Sequence, residues 1–592
     1  MLSATFPQTQ ILSSLLHFTN NNQQQQQQHL LPKQTTKYKT NVRSSKRKCH
    51  SFTHDVSAYM DPTFVASQLE SCSTLKHVEI LHSIITRSST TSTFLFNNLI
   101  SAYIRFGELI IARNLFDSMS KPNIVSWTAL LNAYITFGLD YQAFSFLESL
   151  FNSGILPNAK TYVCILNLST RRLDFQLGKQ IQACIVKHSC SNLIVDTAVV
   201  YFYAQCGDLG DTFRAFLWMK HRDVVSWTTL ISACSRRQLG DQAITLFLQM
   251  LNQGFTPNEF TMCSVLKACG DEQALGFGRQ LHGAVVKYIC KNDVFIETSL
   301  VDMYAKCGEI TYSRTVFNGM TKRNTVSWTS MIAGYARNGL GEEALHLFRV
   351  MRRRKISANK LTMVSVLKAC GLVRDLLAGK EMHAQIIKNC IHGNVYLGST
   401  LVWLYCKCGE YTTAYNVLEG LLLKDVVSWT AMISGCARLG HEHEALGFLK
   451  EMLGEGVEPN SFTYSSALKA CAKLKNVWQG RLIHSSVNKT PALSDVFVGS
   501  SLISMYAKCG CVSEATQIFD SMPERNLISW KAMILCYAKN GFCGEALKFM
   551  HRMQAEGIEV DDYVLSTVLT TCGDFGWSKE PSLEHCLHLH VN

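Results

Sequence analysis

The sequence predicts an all-α protein built as a solenoid of stacked helical hairpins, and three observations carry that prediction. The first is an internal period. IVSWTALL begins at Ile124, VVSWTTLI at Val224, TVSWTSMI at Thr325, VVSWTAMI at Val426 and LISWKAMI at Leu527, which places Trp127, Trp227, Trp328, Trp429 and Trp530 100 or 101 residues apart. The second is apolar residues at helical spacing, punctuated by Gly and Pro. The third is a subdivision of the period into segments of 35, 35 and 31 residues, each reading as two helices. One hairpin cannot bury its own apolar face, whereas stacked neighbours share a continuous core.

In chain order, residues 1–54 come first and read as an address. They contain seven basic residues, no acidic ones, a Gln23 to Gln28 run and many Ser, Thr and Asn. That composition fits an organellar transit peptide. Its arginines are only Arg43 and Arg47, both late, which favours the chloroplast, with the mitochondrion as the alternative compartment. An untargeted disordered tail is the other reading. Beyond this segment the net charge is only +5, compatible with a polyanionic partner without establishing one. No apolar run approaches the roughly 20 residues of a membrane span, so no membrane partner is expected.

The segments then alternate in three types. The first type holds Ser-Trp and covers 124–158, 224–258, 325–359, 426–460 and 527–561. In 224–258, apolar spacing makes one helix, Gly240 marks a turn, and a second amphipathic stretch through Ala243, Phe247 and Met250 is stopped by Gly254 and Pro257. The second type covers 159–192, 259–293, 360–394 and 461–495, with a shortened copy at 62–92 and a truncated copy or tail at 562–592. The third type, 31 residues long, covers 93–123, 193–223, 294–324, 395–425 and 496–526.

Cysteine and histidine recur with the same period. Cys206, Cys307, Cys408 and Cys509 form one register, and Cys269, Cys370, Cys471 and Cys572 another. They read as small packing residues in a reducing compartment, because no Cys-x-x-Cys pair is present. His282, His383 and His484 read as scaffold for the same reason. His585, Cys586, His588 and His590 cluster near the end and read as a frayed tail ahead of a metal site.

VVSWTTLI, MYAKCG, GRQLHGAVVK and EALHLFRVM recur in fixed order with alternating segment lengths. In this the sequence resembles plant organellar pentatricopeptide-repeat proteins of the PLS subclass, whose P, long L and short S motifs correspond to the three types, over roughly residues 62–592. A tetratricopeptide array keeps a near-constant 34-residue length. The resemblance implies a right-handed α-solenoid and single-stranded organellar RNA as the partner, with one base read per repeat by a first-helix residue and the last residue of the unit. RNA-processing or editing proteins recruited in trans are the further partners it implies.

On that resemblance the P-type pairs are Thr128 with Asn158, Thr228 with Asn258, Thr329 with Asn359 and Thr430 with Asn460, all similar to adenine-reading pairs. Among S-type pairs, Asn97 with Asn123 resembles a pyrimidine reader, while Thr298 with Asn324 and Ser500 with Asn526 resemble adenine readers. Thr197 with Asp223 and Ser399 with Asp425 resemble guanine readers, the carboxylate accepting from guanine N–H groups. Val163, Cys263 and Val364 in L-type units offer no strong bond to a base. Ser465 with Asp495 could offer one, but L-type units read poorly, and Lys531 with Asp561 departs from the pattern. The implied target, 5′ to 3′, is Y-A-n-G-A-n-A-A-n-G-A-n-A. The structural alternative is that Asn, Asp and Thr merely cap helices. Capping suits the boundary residue but leaves the first-helix Thr unaccounted for.

No P-loop, nucleophile elbow or paired-carboxylate signature stands out. His77-Val78-Glu79 matches a zinc-deaminase spacing without the required Cys-x-x-Cys. A C-terminal extension or deaminase domain is not evident, so the expected protein is not an enzyme and takes no cofactor or metal. Three functions remain in view. One is a sequence-specific RNA-binding factor for chloroplast transcript processing, stabilisation or splicing. The others are an RNA-editing specificity factor that borrows a deaminase, and a protein-binding scaffold.

Overall fold

The computed structural model describes residues 62–87, 92–289, 293–388, 395–490 and 495–573. The expected transit peptide (1–54) and the cluster from His585 to His590 lie outside the described residues. The chain divides into two compact units, 1–307 and 308–592, and each is described by itself. Both are all-α arrays of helical hairpins; no strand occurs among the described residues.

In the first unit, first helices begin at Thr93, Ile124, Ala159, Leu193, Val224, Glu259 and Val294. Each packs on its own second helix where the unit contains one, and on the neighbouring first helices of the same unit. The second unit repeats this from Thr325 through Leu527 to the helix Asp562–Gly573. The expected solenoid architecture is present in both.

Sequence explains the local boundaries. Asp223, with extended backbone, accepts from Ser226 N and starts the helix Val224–Arg236; the Ser226 hydroxyl returns the bond to the Asp223 backbone N–H. At the other end of a hairpin, an arginine two residues before the next helix closes the preceding one. Arg323 donates to the carbonyls of Phe317 and Asn318 at 2.8 and 2.7 Å and lies 4.9 Å above the Phe317 ring. Arg525 does the same at Phe519.

The recurring tryptophan fills the gap between successive hairpins. Trp227 is buried and meets Phe216 edge-on at 4.8 Å; Trp328 meets Phe317 at 5.2 Å and Trp530 meets Phe519 at 4.8 Å, also edge-on. At Trp429 the corresponding neighbour is Leu418, and Lys424 lies 5.1 Å over the indole. The indole N–H of all five tryptophans is buried without a hydrogen-bond partner. Their contribution is therefore volume and apolar area, and truncation of one to Ala costs about 3–5 kcal/mol.

A second recurring contact joins the second helix of one hairpin to the first helix of the next. A Cβ at Gly278 would lie 2.6 Å from Met303 Sδ, and one at Gly480 would lie 2.5 Å from Met505 Sδ. Absence of a side chain lets these helices approach. One turn later, His282 Nδ1 lies 2.9 Å from Tyr304 Oη, His383 Nδ1 2.8 Å from Tyr405 Oη and His484 Nδ1 3.1 Å from Tyr506 Oη. His82 and Tyr103 form the same pair at 2.9 Å. At the equivalent place Gln182 accepts from Tyr203. The periodic histidines are scaffold, as their spacing implied.

Among the described residues, eight cysteines are buried thiols: Cys164, Cys234, Cys269, Cys370, Cys406, Cys436, Cys471 and Cys536. Burial raises Cys269, Cys370 and Cys471 to about 12, so they remain protonated at neutral pH.

Burial holds His82, His282, His383 and His484 below the ordinary value of 6.5. The unfolded chain then binds protons first as pH falls. Stabilisation from the neutral imidazoles is complete above about pH 6.5 and is lost as pH drops through the lowered folded values. Thermal melts followed by circular dichroism should show a Tm that falls between pH 7.5 and 5.5. The triple variant H282Q/H383Q/H484Q, patterned on Gln182, should fall less; an equal drop in both proteins contradicts this assignment.

Candidate nucleic-acid interface

The loop half of every candidate pair is also a helix N-cap. Asn158 Oδ1 accepts from Thr161 N at 2.9 Å, Asn258 from Thr261 N at 2.9 Å, Asn359 from Thr362 N at 2.8 Å and Asn460 from Thr463 N at 2.9 Å. Asp223 and Asp425 accept from Ser226 N and Ser428 N, each at 2.8 Å. Asn123, Asn324 and Asn526 cap through Ser126 N, Ser327 N and Ser529 N at 3.1, 3.0 and 2.9 Å. One side-chain oxygen is thus committed to the backbone at each boundary. The remaining group differs in sign: an NH2 donor in Asn, a carboxylate acceptor in Asp.

The first-helix half is also engaged within the protein. Capping does not reach these threonines, yet they are not unaccounted for. Thr128, Thr329 and Thr430 are buried and Thr228 half-buried. Thr128 Oγ1 lies 2.7 Å from Thr161 Oγ1, which in turn lies 3.0 Å from Asn158 Oδ1. The arrangement returns at Thr228–Thr261–Asn258 (2.6 and 2.9 Å), Thr329–Thr362–Asn359 (2.7 and 2.9 Å) and Thr430–Thr463–Asn460 (2.6 and 2.9 Å). A hydroxyl of the following helix therefore joins the two halves of each P-type pair.

The S-type pairs are joined less uniformly. Asn97 Nδ2 donates to Asn123 Oδ1 at 3.1 Å, and Ser126 Oγ lies 2.6 Å from Asn97 Oδ1. Ser399 Oγ lies 3.2 Å from Asp425 Oδ1. No hydrogen bond links Thr197 to Asp223 or Ser500 to Asn526; Thr197 and Ser500 donate to the carbonyls of Leu193 and Val496, each at 2.7 Å. Thr298 belongs to the first unit, where its hydroxyl is buried without a partner, and Asn324 belongs to the second. In the departing pair, Lys531 Nζ and Asp561 Oδ2 form an ion pair at 2.5 Å, and this bond holds the Asp561 carboxyl below its usual range.

Two features escaped the sequence reading. The second residue of most first helices is apolar and exposed, from Val225 and Phe260 in the first unit to Val427, Phe462 and Phe497 in the second; Phe260 is 73% exposed. The other feature is basic. In the second unit a groove of about 1060 Å³ is lined by the candidate residues Ser399, Thr430 and Asn460, the rings of Tyr396, Trp403 and Phe462, and six cations: Lys368, Lys407, Arg438, Lys469, Lys473 and Lys508. No carboxylate is among its lining residues.

The preceding helix ends place some of these cations. Arg438 donates to Cys406 O at 2.8 Å and Lys473 to Ala437 O at 2.7 Å, each one capping the first helix before its own. Arg105 does so in the first unit, at Leu69 O and Glu70 O. Burial, with Arg438 and Arg374 nearby, lowers the Lys407 pKa. In the first unit Lys306 is instead neutralised by Asp271 and Asp302 at 2.6 and 2.8 Å.

Comparison with known proteins follows this geometry. The PPR repeat family matches residues 222–271, 323–371 and 424–473, the PPR repeat matches 94–124, 500–527 and 528–558, and the pentatricopeptide repeat domain matches 111–172. A chloroplastic pentatricopeptide repeat-containing protein of Arabidopsis thaliana is 58% identical over 517 residues, 87% of this chain and 84% of that protein. A mitochondrial one from the same plant is 32% identical over 515 residues, 86% and 75% of the respective chains. Among solved structures, the pentatricopeptide repeat protein PPR10 from maize aligns with a TM-score of 0.47 at 15% identity, covering 87% of this chain and 86% of that one. The extent and level of sequence identity, together with the repeat matches along the chain, establish that this protein belongs to the pentatricopeptide repeat family.

Proposed function

We propose that the protein is a sequence-specific single-stranded RNA-binding factor of the chloroplast, acting in transcript processing, stabilisation or splicing. The observation that carries this reading is the groove of the second unit, where candidate base-facing residues, aromatic rings and six cations, of which Lys473 also pairs with Glu442 at 3.0 Å, share one surface. Each feature suits one part of a nucleotide. Cations follow the phosphates, apolar and aromatic side chains receive base faces, and the pairs meet the Watson–Crick edges. The identity to a chloroplastic relative supports the compartment.

The chemistry of the pairs follows from their caps. With Oδ1 held by a backbone N–H, Asn258 turns donors outward, suited to N1 of adenine. With one oxygen so held, Asp223 turns an acceptor outward, suited to the N1–H and N2–H groups of guanine. The ion pair of Lys531 with Asp561 leaves that position self-satisfied and unread.

Binding of the chain to Y-A-n-G-A-n-A-A-n-G-A-n-A, against a composition-matched scramble at physiological salt, should show strong preference for the pattern. Equal weak binding to both would remove sequence reading. Asp223→Asn should move the fourth nucleotide from G toward A, by about tenfold for one charged hydrogen bond, while binding to the A-substituted RNA stays strong. Lys508→Gln should weaken all RNAs alike and reduce the slope of log affinity against log salt by about 0.7; a change in sequence preference instead would assign Lys508 to a base.

A further inference from the structure

The buried Thr161, Thr261, Thr362 and Thr463 lie beside the pairs without belonging to them. We infer that they are positioning residues that fix which polar groups the adjacent P-type pairs offer to a base, an inference that rests on the RNA-reading proposal above. The protons show how. Thr228 and Thr261 bring one hydroxyl proton each, and the protein acceptors at the ends of their chain are Val224 O, 2.6 Å from Thr228 Oγ1, and Asn258 Oδ1, 2.9 Å from Thr261 Oγ1. Either Thr228 donates to Thr261 and Thr261 to Asn258, or Thr261 donates to Thr228 and Thr228 to Val224 O.

Both arrangements spend the Thr228 proton inside the protein and leave a lone pair for a ligand. In both, Asn258 Oδ1 accepts the Thr261 backbone N–H and leaves its NH2 outward. The pair then presents one acceptor and one donor, the complement of adenine N6–H2 and N1. Guanine, with O6 as acceptor and N1–H as donor, has the opposite polarity. Without the Thr261 hydroxyl, the Thr228 proton is tied only to Val224 O and can turn toward O6, while Asn258 loses one of its two anchors.

The contrast with the pair Thr197 and Asp223 supports this, whereas at Asn97 and Asn123 it is Ser126 that bridges the two halves. Ser226 stands where Thr261 would, after the pair Thr197 and Asp223, and its hydroxyl is turned to the backbone of Asp223 at 2.9 and 3.0 Å. No bond from it reaches Thr197. The four threonine relays and their near-identical distances are thus a built feature of the P-to-L boundary.

The test compares wild type, Thr261→Val and Thr261→Ser on two RNAs of the proposed pattern that differ only in A or G at the fifth nucleotide. Valine keeps the volume and the backbone N–H cap but removes the hydroxyl. The A-over-G preference should fall about tenfold in Thr261→Val, the scale of one hydrogen bond, and return in Thr261→Ser. Thr362→Val, read at the eighth nucleotide, repeats the test in the other unit should the first variant fold poorly. An unchanged ratio in the valine variants overturns the inference, as does equal weakening on both RNAs. Wild type that shows no preference at either nucleotide would instead overturn the reading of bases itself.

Discussion

The bond on which the rest depends is the one from a boundary Asn or Asp to the backbone N–H three residues on. It starts most of the first helices, so it sets where those hairpins begin and which face turns inward. The same bond immobilises the side chain that stands at the groove. A helix N-terminus offers unpaired donors regardless of sequence, and an Asx residue is the shortest side chain able to satisfy one while keeping a second polar group free. Capping and the proposed recognition are therefore two ends of one side chain, and the choice between Asn and Asp changes the outer end while leaving the inner one nearly the same.

Much of the architecture was legible because stacking makes burial periodic. Trp227, Trp328 and Trp530 announce the interval at which one hairpin closes on the next, and the fixed place of His282, His383 and His484 against tyrosines follows from the same interval. The caps were legible as a residue type at a boundary. The relay was not. Thr128 and Thr161 are 33 residues apart, and a buried Thr at the third helical position looks like any β-branched core residue until the register between successive helices is known. The exposed second residues were missed because an apolar residue in a first turn satisfies a helical pattern equally well facing in or out. Phe260 and Val427 differ from their neighbours only in orientation. The cations escaped because net charge hides them: the groove of the second unit gathers six cations on one surface, with Glu442 paired to Lys473 alone of its lining in the way that Asp271 and Asp302 are paired to Lys306.

On the proposed reading, a base meets side chains on this surface that already have protein partners. Thr430 and Asn460 have protein partners before any ligand arrives, and the cations Arg438 and Lys473 are anchored on helix carbonyls. Little side-chain freedom is left to lose on binding, which favours discrimination per contact. It also ties the two functions energetically. On the proposed reading a substitution at a boundary Asn acts on helix initiation and on the ligand together, whereas a substitution at Phe462 or Lys508, both exposed, leaves the N-terminal caps intact.

The relay gives the chain a grammar offset from its architecture. The hairpin starting at Val224 ends before Glu259, but the group of residues tied around one candidate base runs from Thr228 through Asn258 to Thr261 and so belongs to two hairpins. Exchange of material between such arrays, by recombination or by grafting, with a cut at that loop parts the cap and the pair from the helix that completes both. A segment joined at residue 258 carries its letters but takes their punctuation from whatever helix it is joined to.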